Sequence, residues 1–185
     1  MSDKTKLMIV ASFRNFLKDN PYDQVSIADI TDSCGLSRQT FYYHFKSTFD
    51  IVKWIYSHES SMDTSNKVGY GTWQDKIVQI FRYTLNNKDV ITAVYNSRSR
   101  DKLVEYYLYE SKLGIGIVLD MRSGNGMSPA DRNFVVSVAA YSMTGILLKW
   151  IQDGMTEPIE SIVRRIDIAI SAGFHDIVRA FTLAN

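Results

Sequence analysis

Three prolines, Pro21, Pro129 and Pro158, each fall between apolar segments of helical period, and none lies inside one. Proline removes a backbone donor and clashes with the preceding helical turn, so it is tolerated at helix starts and connections. Long stretches of 3.6-residue periodicity, with no useful polar–apolar alternation, therefore predict an all-α chain of about nine helices. The first spans 4–19, with Leu7, Ile9, Phe13, Phe16 and Leu17 available to one face, and Asn20-Pro21 stops it. A capping box, Ser26 with Asp29, restarts the chain into a short helix that ends at Cys34-Gly35. Ser37 caps a third helix, 38–44, and a fourth runs from about 49 to 62. Further helices are expected at 72–86, 89–96 and 100–121, where Gly114 and Gly116 are possible points of kinking or termination. Ser128-Pro129-Ala130-Asp131 is a strong helix start, with cap, N1 proline and N3 acid in order. That helix should run to Asp153, with Gly154 just beyond it, and a last one spans 158–183.

The polar, glycine-bearing segment 63–71 is the expected boundary between an N-terminal domain, 1–62, and a C-terminal domain, 63–185. One cysteine, Cys34, and three dispersed histidines exclude a disulfide framework and give no metal-ligand spacing. No cofactor or metal is expected. No paired-carboxylate or nucleophile–base constellation appears, so no catalytic residue is assigned. No run approaches 18 uncharged apolar residues and no signal-like segment opens the chain. The expected setting is soluble and cytoplasmic, with no membrane partner. Twenty-one basic against 20 acidic residues, a net charge of +1, exclude a protein that coats nucleic acid by bulk attraction. Residues 1–50 are balanced too: Lys4, Lys6, Arg14, Lys18, Arg38 and Lys46 face Asp3, Asp19, Asp23, Asp29, Asp32 and Asp50. Any DNA binding must rest on a few placed side chains.

Residues 26–45 supply them. Three short helices, the second and third joined by a tight glycine turn, make a helix-turn-helix. Ile27, Ile30, Leu36, Phe41 and Phe45 can close its small core, since Phe41 and Phe45 lie four apart on one side of the third helix. The other side presents Arg38, Gln39, Thr40, Tyr42 and Tyr43, a set suited to the donors, acceptors and thymine methyls of a major groove.

The stretch YDQVSIADITDSCGLSRQTFYYHFKS resembles the DNA-binding domain of the TetR family of bacterial regulators. The match runs through Ser26, Asp29, Ile30, Gly35, Leu36, Ser37, Thr40, Phe41, Tyr42, His44, Phe45 and Lys46, and covers about residues 4–60. It implies a homodimer holding two such domains over a palindromic double-stranded operator. It further implies C-terminal helices that dimerise and respond to a small-molecule or protein effector. By matching position, Ser26, Tyr43, His44 and Lys46 would hold phosphates, while Arg38, Gln39, Thr40 and Tyr42 would face bases or nearby backbone. Ser37 belongs to the same surface. Thr48 stands where a second lysine is common, leaving a hydroxyl and helix amides in place of a charge. The Pro21-Tyr22 segment and the Arg-x-Thr-Phe-Tyr core also resemble a branch related to regulators of dihydroxyacetone kinase operons.

On the helices that would surround the family's effector cavity lie Trp54, Trp73, Phe81, Tyr95, Tyr106 and Tyr107, whose rings and hydroxyls suit mixed apolar–polar ligands. The last two helices are apolar on more than one side, which calls for a second subunit. The expected contact set is Phe134, Tyr141, Gly145, Leu148, Ile166, Ile170, Phe174 and Ile177. The charge balance and Thr48 also admit an alternative: a helix-turn-helix scaffold acting mainly as a protein-interaction module, with weak or co-activator-dependent DNA binding.

Overall fold

A computed structural model of the chain describes residues 2–62, 73–123 and 127–169. Within them the regular structure is helical: α1 (Ser2–Asp19), a 3₁₀ turn (Tyr22–Gln24), α2 (Ile27–Ser33), α3 (Arg38–His44), α4 (Thr48–Met62), α5 (Trp73–Asn86), α6 (Lys88–Tyr95), α7 (Arg100–Ser123) and α8 (Pro129–Gln152), then α9 over 159–169. The remainder of the expected last helix, and Thr72 of the expected cap before α5, lie outside the described residues.

Two compact units form. One comprises Met1–Thr64 with Asn86–Leu103, the other Ser65–Leu85 with Val104–Asn185. By contact, α6 groups with the N-terminal residues rather than with those that follow residue 63. The cause is local: Val90, Ile91 and Val94 of α6 are fully buried, and the Arg14 guanidinium of α1 hydrogen-bonds Asn87 and pairs with Asp89 at 3.5 Å. In the connection that follows, the Arg98 amide donates to Asp23 at 3.1 Å.

In the N-terminal unit, α1 buries Ile9, Val10 and Phe13, while Leu7, expected on that face, is half exposed. The Ser12 hydroxyl donates to the Ile30 carbonyl at 3.0 Å and ties α1 to α2. After Pro21 the 3₁₀ turn, which the periodicity did not reveal, drives Tyr22 edge-on against Phe13 with ring centres 6.1 Å apart. On α2, Ile30 and Thr31 are buried and Ile27 only partly so. Cys34 donates its thiol to the Ile30 carbonyl, and burial raises its pKa, as suits a packing thiol.

In the C-terminal unit, Phe81 of α5 packs on Trp150 of α8 with ring centres 5.0 Å apart, and Tyr107 of α7 meets the Thr84 hydroxyl at 2.9 Å. Helix α7 continues through both glycines. At Gly116 the missing Cβ makes room, because a methyl there would stand 3.1 Å from the Arg132 guanidinium. That guanidinium grips Asp120 through two bonds, 2.6 and 2.7 Å, and so lashes α8 to α7. Farther along, Ser111 meets Thr144 at 3.4 Å, so the two helices run antiparallel. Ser128 caps α8 as expected, accepting the Asp131 amide. Its end is a Schellman turn: Gly154 (φ +77°) donates to the Ile151 carbonyl, and Met155 to that of Trp150. By length and composition alone α8 could cross a membrane, yet eight of its residues are buried against its own chain.

Candidate nucleic-acid interface

The helix-turn-helix is set by three local devices. At the start of α2 the Ser26 hydroxyl accepts the Asp29 amide at 3.1 Å, and the Asp29 carboxylate takes the Ser26 amide at 3.1 Å, completing the capping box. Between α2 and α3, Gly35 adopts φ +65°, its amide donating to the Asp32 carbonyl and that of Leu36 to the Thr31 carbonyl, a second Schellman turn. At the start of α3 the Ser37 hydroxyl accepts the Thr40 amide at 3.0 Å. Phe41 and Phe45 then anchor α3 in the core, 5.9 Å apart, with Phe45 edge-on to Trp54.

With that face buried, the rest of α3 points outward. Ser37, Arg38, Gln39 and Lys46 are exposed, as are Tyr42 and, at 83%, Tyr43; Thr40 and His44 are half-buried. His44 lies edge-on to Tyr43, and its Nδ1 is enclosed without a hydrogen-bond partner. Among the described residues neither Arg38 nor Lys46 is held in an ion pair, so both charges are available to a ligand.

The direction of each hydroxyl's hydrogen divides the residues expected on the DNA-facing surface. Phosphate accepts hydrogen bonds, so a hydroxyl must donate to it. Ser26 already gives its hydrogen to Asp29 at 2.6 Å and retains only an acceptor site. Hydrogen bonding from Ser26 holds that carboxyl below its ordinary pKa, so it stays an acceptor at neutral pH. Ser37 and Thr40 share one bond at 2.9 Å, leaving the pair one hydroxyl hydrogen to offer. Thr48 and Tyr22 do the same at 3.0 Å; burial raises the Tyr22 pKa, so its phenol is protonated and can donate inward while Thr48 donates outward.

A fourth device escaped the periodicity. Ser47 caps α4, accepting the Asp50 amide at 3.2 Å, and the Asp50 carboxylate takes the Lys46 amide at 3.1 Å and the Lys53 ammonium at 2.6 Å. Burial pushes Asp50 up, but the Lys53, Ser47 and Lys46 bonds together bring it below its ordinary value. The signal was legible: Ser47-Thr48-Phe49-Asp50 repeats the spacing of Ser26 and Asp29. This device fixes the Lys46 backbone immediately after α3.

Residues expected to face an effector are distributed differently. Trp54 belongs to the N-terminal unit, stacked on His58 at 4.3 Å with the Lys6 ammonium 5.8 Å from its ring. Tyr95 lies in the same unit under the Arg100 guanidinium, which donates to its hydroxyl at 2.8 Å. Phe81 and Tyr107 are core residues of the C-terminal unit, Tyr106 is half-buried beside Tyr107, and the Trp73 side chain lies outside the described part. A cleft of about 710 Å³ does open between α8 and α9, floored by Gly145, Ile146, Trp150 and Ile162 and rimmed by Lys149, Asp153, Glu157 and Arg165. Its lining includes none of the six.

Of the expected dimer contacts, Phe134, Tyr141 and Gly145 are exposed and Leu148 is half-buried. Ile166, with Ile159, Ile162 and Val163, is buried within its own chain. Ile170, Phe174 and Ile177 lie outside the described residues.

Comparison with known proteins agrees with this geometry. Residues 9–53 match the family of bacterial regulatory proteins of the tetR type, and residues 71–172 match a transcriptional regulator C-terminal region. The chain is 27% identical over 84 residues to the dhaKLM operon transcriptional activator DhaS of Lactococcus lactis, covering 45% of each chain. It is 40% identical over 45 residues to the regulator EthR of Mycobacterium tuberculosis, 24% of this chain and 21% of that one. The matched stretches thus span under half the length of these relatives. The solved structure of a dihydroxyacetone kinase operon activator DhaS superposes with a TM-score of 0.67 over 96% of this chain and 97% of that one, at 20% identity, a likeness of fold. With a helix-turn-helix built as described and both domains matched, the chain belongs to the TetR family of bacterial transcriptional regulators.

Proposed function

We propose that the chain is a cytoplasmic, homodimeric regulator that binds a palindromic operator through α3 and responds to an effector through its C-terminal helices. The observation that carries the reading is the division of α3: Phe41 and Phe45 hold it in the core, while Arg38, Gln39, Tyr42 and Tyr43 stand outward beside Lys46. Arg38 and Gln39 are the base readers, for arginine matches guanine and glutamine matches adenine in the major groove. Lys46, Tyr43, His44 and the Ser37–Thr40 and Thr48–Tyr22 hydroxyl pairs hold phosphates; Ser26 acts through its cap. Two such helices read half-sites one DNA turn apart only when two copies are joined. The likeness to DhaS, named an operon activator, favours activation of transcription over repression.

Fluorescence anisotropy against the operator tests the roles. Arg38→Ala costs about 1–3 kcal/mol at the cognate site and relaxes preference at one base pair. Lys46→Ala weakens binding to every sequence and flattens the salt dependence by about one unit of slope. Unchanged binding in both variants removes α3 from the groove and leaves a protein-interaction module in its place.

A further inference from the structure

Three hydroxyls from distant parts of the N-terminal unit meet at Tyr22. The buried Tyr22 phenol, in the 3₁₀ turn, lies 3.0 Å from the Thr48 hydroxyl at the start of α4. Its other hydroxyl neighbour is Ser99, in the connection between α6 and α7. Burial raises the Tyr22 pKa, the Thr48 and Ser99 hydroxyls lower it, and the nearby Asp23 and Asp50 carboxylates raise it again. The net effect is upward, so the phenol keeps its hydrogen. Among the described residues neither the Thr48 nor the Ser99 hydroxyl has another hydrogen-bond partner.

The connection holds Ser99 in place from both sides. Asp23, beside Tyr22, accepts the Arg98 amide at 3.1 Å, and the Ser97 hydroxyl accepts the Ser99 amide at 3.0 Å. The Ser99 carbonyl in turn accepts the Leu103 amide, so α7 starts from this residue. That helix leaves the N-terminal unit at Leu103 and continues to Ser123 in the other.

Three hydroxyls own three hydrogens, and the two contacts within the row use two of them. Two directions are open. With Ser99 donating to Tyr22 and Tyr22 to Thr48, the spare hydrogen leaves from Thr48. With the direction reversed it leaves from Ser99, and Thr48 shows only lone pairs. Phosphate is an acceptor and selects the first direction; an acceptor brought to Ser99 selects the second. Hydrogen bonds in a row polarise one another, so the three turn together. We infer that Ser99, acting through Tyr22, sets whether Thr48 offers a hydrogen or lone pairs to the DNA backbone. The α6–α7 connection is thereby a control point of the operator contact, and the inference rests on the reading of α3 and Thr48 given above.

Fluorescence anisotropy of the full chain, on a duplex that the wild-type chain selects from a random-sequence pool, provides the test. Thr48→Val keeps the shape but removes the hydroxyl, and should weaken binding about fivefold to tenfold for each half-site. Ser99→Asp puts a group that can only accept at the far end, turns the Thr48 hydrogen inward, and should weaken binding by a similar factor. Aspartate is a favoured residue before a helix, so far-UV circular dichroism and thermal midpoint should hold. Tyr22→Phe keeps the ring against Phe13 and cuts the row. In that background Ser99→Asp should change nothing further. A loss from Ser99→Asp that persists beside Tyr22→Phe comes from its charge acting directly, and overturns the inference. So does a Ser99→Asp chain that binds like wild type, or a harmless Thr48→Val, while Lys46→Ala still weakens binding. A wild-type chain that selects no duplex, or harmless Arg38→Ala and Lys46→Ala, removes the reading of α3 itself.

Discussion

Single residues show how closely equal-looking signals differ in consequence. Gly35, Gly114 and Gly116 all read as breaks in helical pattern, but only Gly35 needs its freedom from a side chain for backbone reasons, at φ +65°. A Cβ there meets nothing within 4 Å, so its cost is purely conformational. Gly35→Ala should destabilise by about 1 kcal/mol through the left-handed strain. Gly114 is helical and equally open, so Gly114→Ala should stabilise by roughly 0.5–1 kcal/mol from helix propensity. Urea midpoints measured on both variants should move in opposite directions; a shared direction would mean that the turn is not strained. Gly116 is the third case: a guanidinium lies 3.1 Å from where a Cβ would stand, which no one-dimensional pattern discloses. The exposed hydroxyls teach the same lesson. Ser26, Ser37 and Thr48 look alike in sequence, and only the partner of each hydrogen decides which can reach a phosphate.

At the scale of elements, legibility followed the length of the interactions involved. The α2 capping box, the Ser37 cap of α3, the Pro129 start of α8 and the Gly154 turn are all made within five residues, and each was readable. So was the division of α3, because Phe41 and Phe45 recur at helical spacing. The 3₁₀ turn was not, since Tyr22 is placed by Phe13 and Thr48, distant in sequence. Nor was the return of α6, which depends on Arg14 reaching Asn87 and Asp89. Periodicity placed Ile166 on the apolar stripe of α9, and burial within the chain is what that stripe shows. The Ser47–Asp50 cap was local and was passed over, and it yields a test. Asp50 has a lowered folded pKa, so its contribution is present above the ordinary carboxylate range and is lost as pH falls through the folded value. Asp50→Asn should therefore be less stable at neutral pH, and its stability should fall less than that of wild type between about pH 5 and pH 3. Urea unfolding at a series of pH values reads both; parallel pH curves for the two proteins would show that the cap carries no proton linkage.

For the whole molecule, the balance of charge decides what kind of reader this is. With six basic and six acidic side chains in residues 1–50, bulk attraction to DNA is small, and on the proposed reading each half-site engagement rests on Arg38, Lys46 and a few hydroxyls. One such domain would then capture few phosphates and bind weakly. On the homodimer reading, affinity arises because the second domain is delivered at high effective concentration once the first has bound. The two properties are then coupled: a change that splits the subunits should weaken the operator complex although it touches no DNA. Tyr141→Glu, at an exposed position of α8 within the expected contact set and in a unit separate from α3, serves as that change. Its affinity for a duplex carrying one half-site should equal that of wild type, while its affinity for the full palindrome should fall by 10²-fold or more. Anisotropy titrations on the two duplexes make the comparison directly. Equal losses on both would mean that the substitution damaged the reading head. No loss on either would mean that each domain binds alone, and a neutral reading head would then need a source of affinity other than its own second copy.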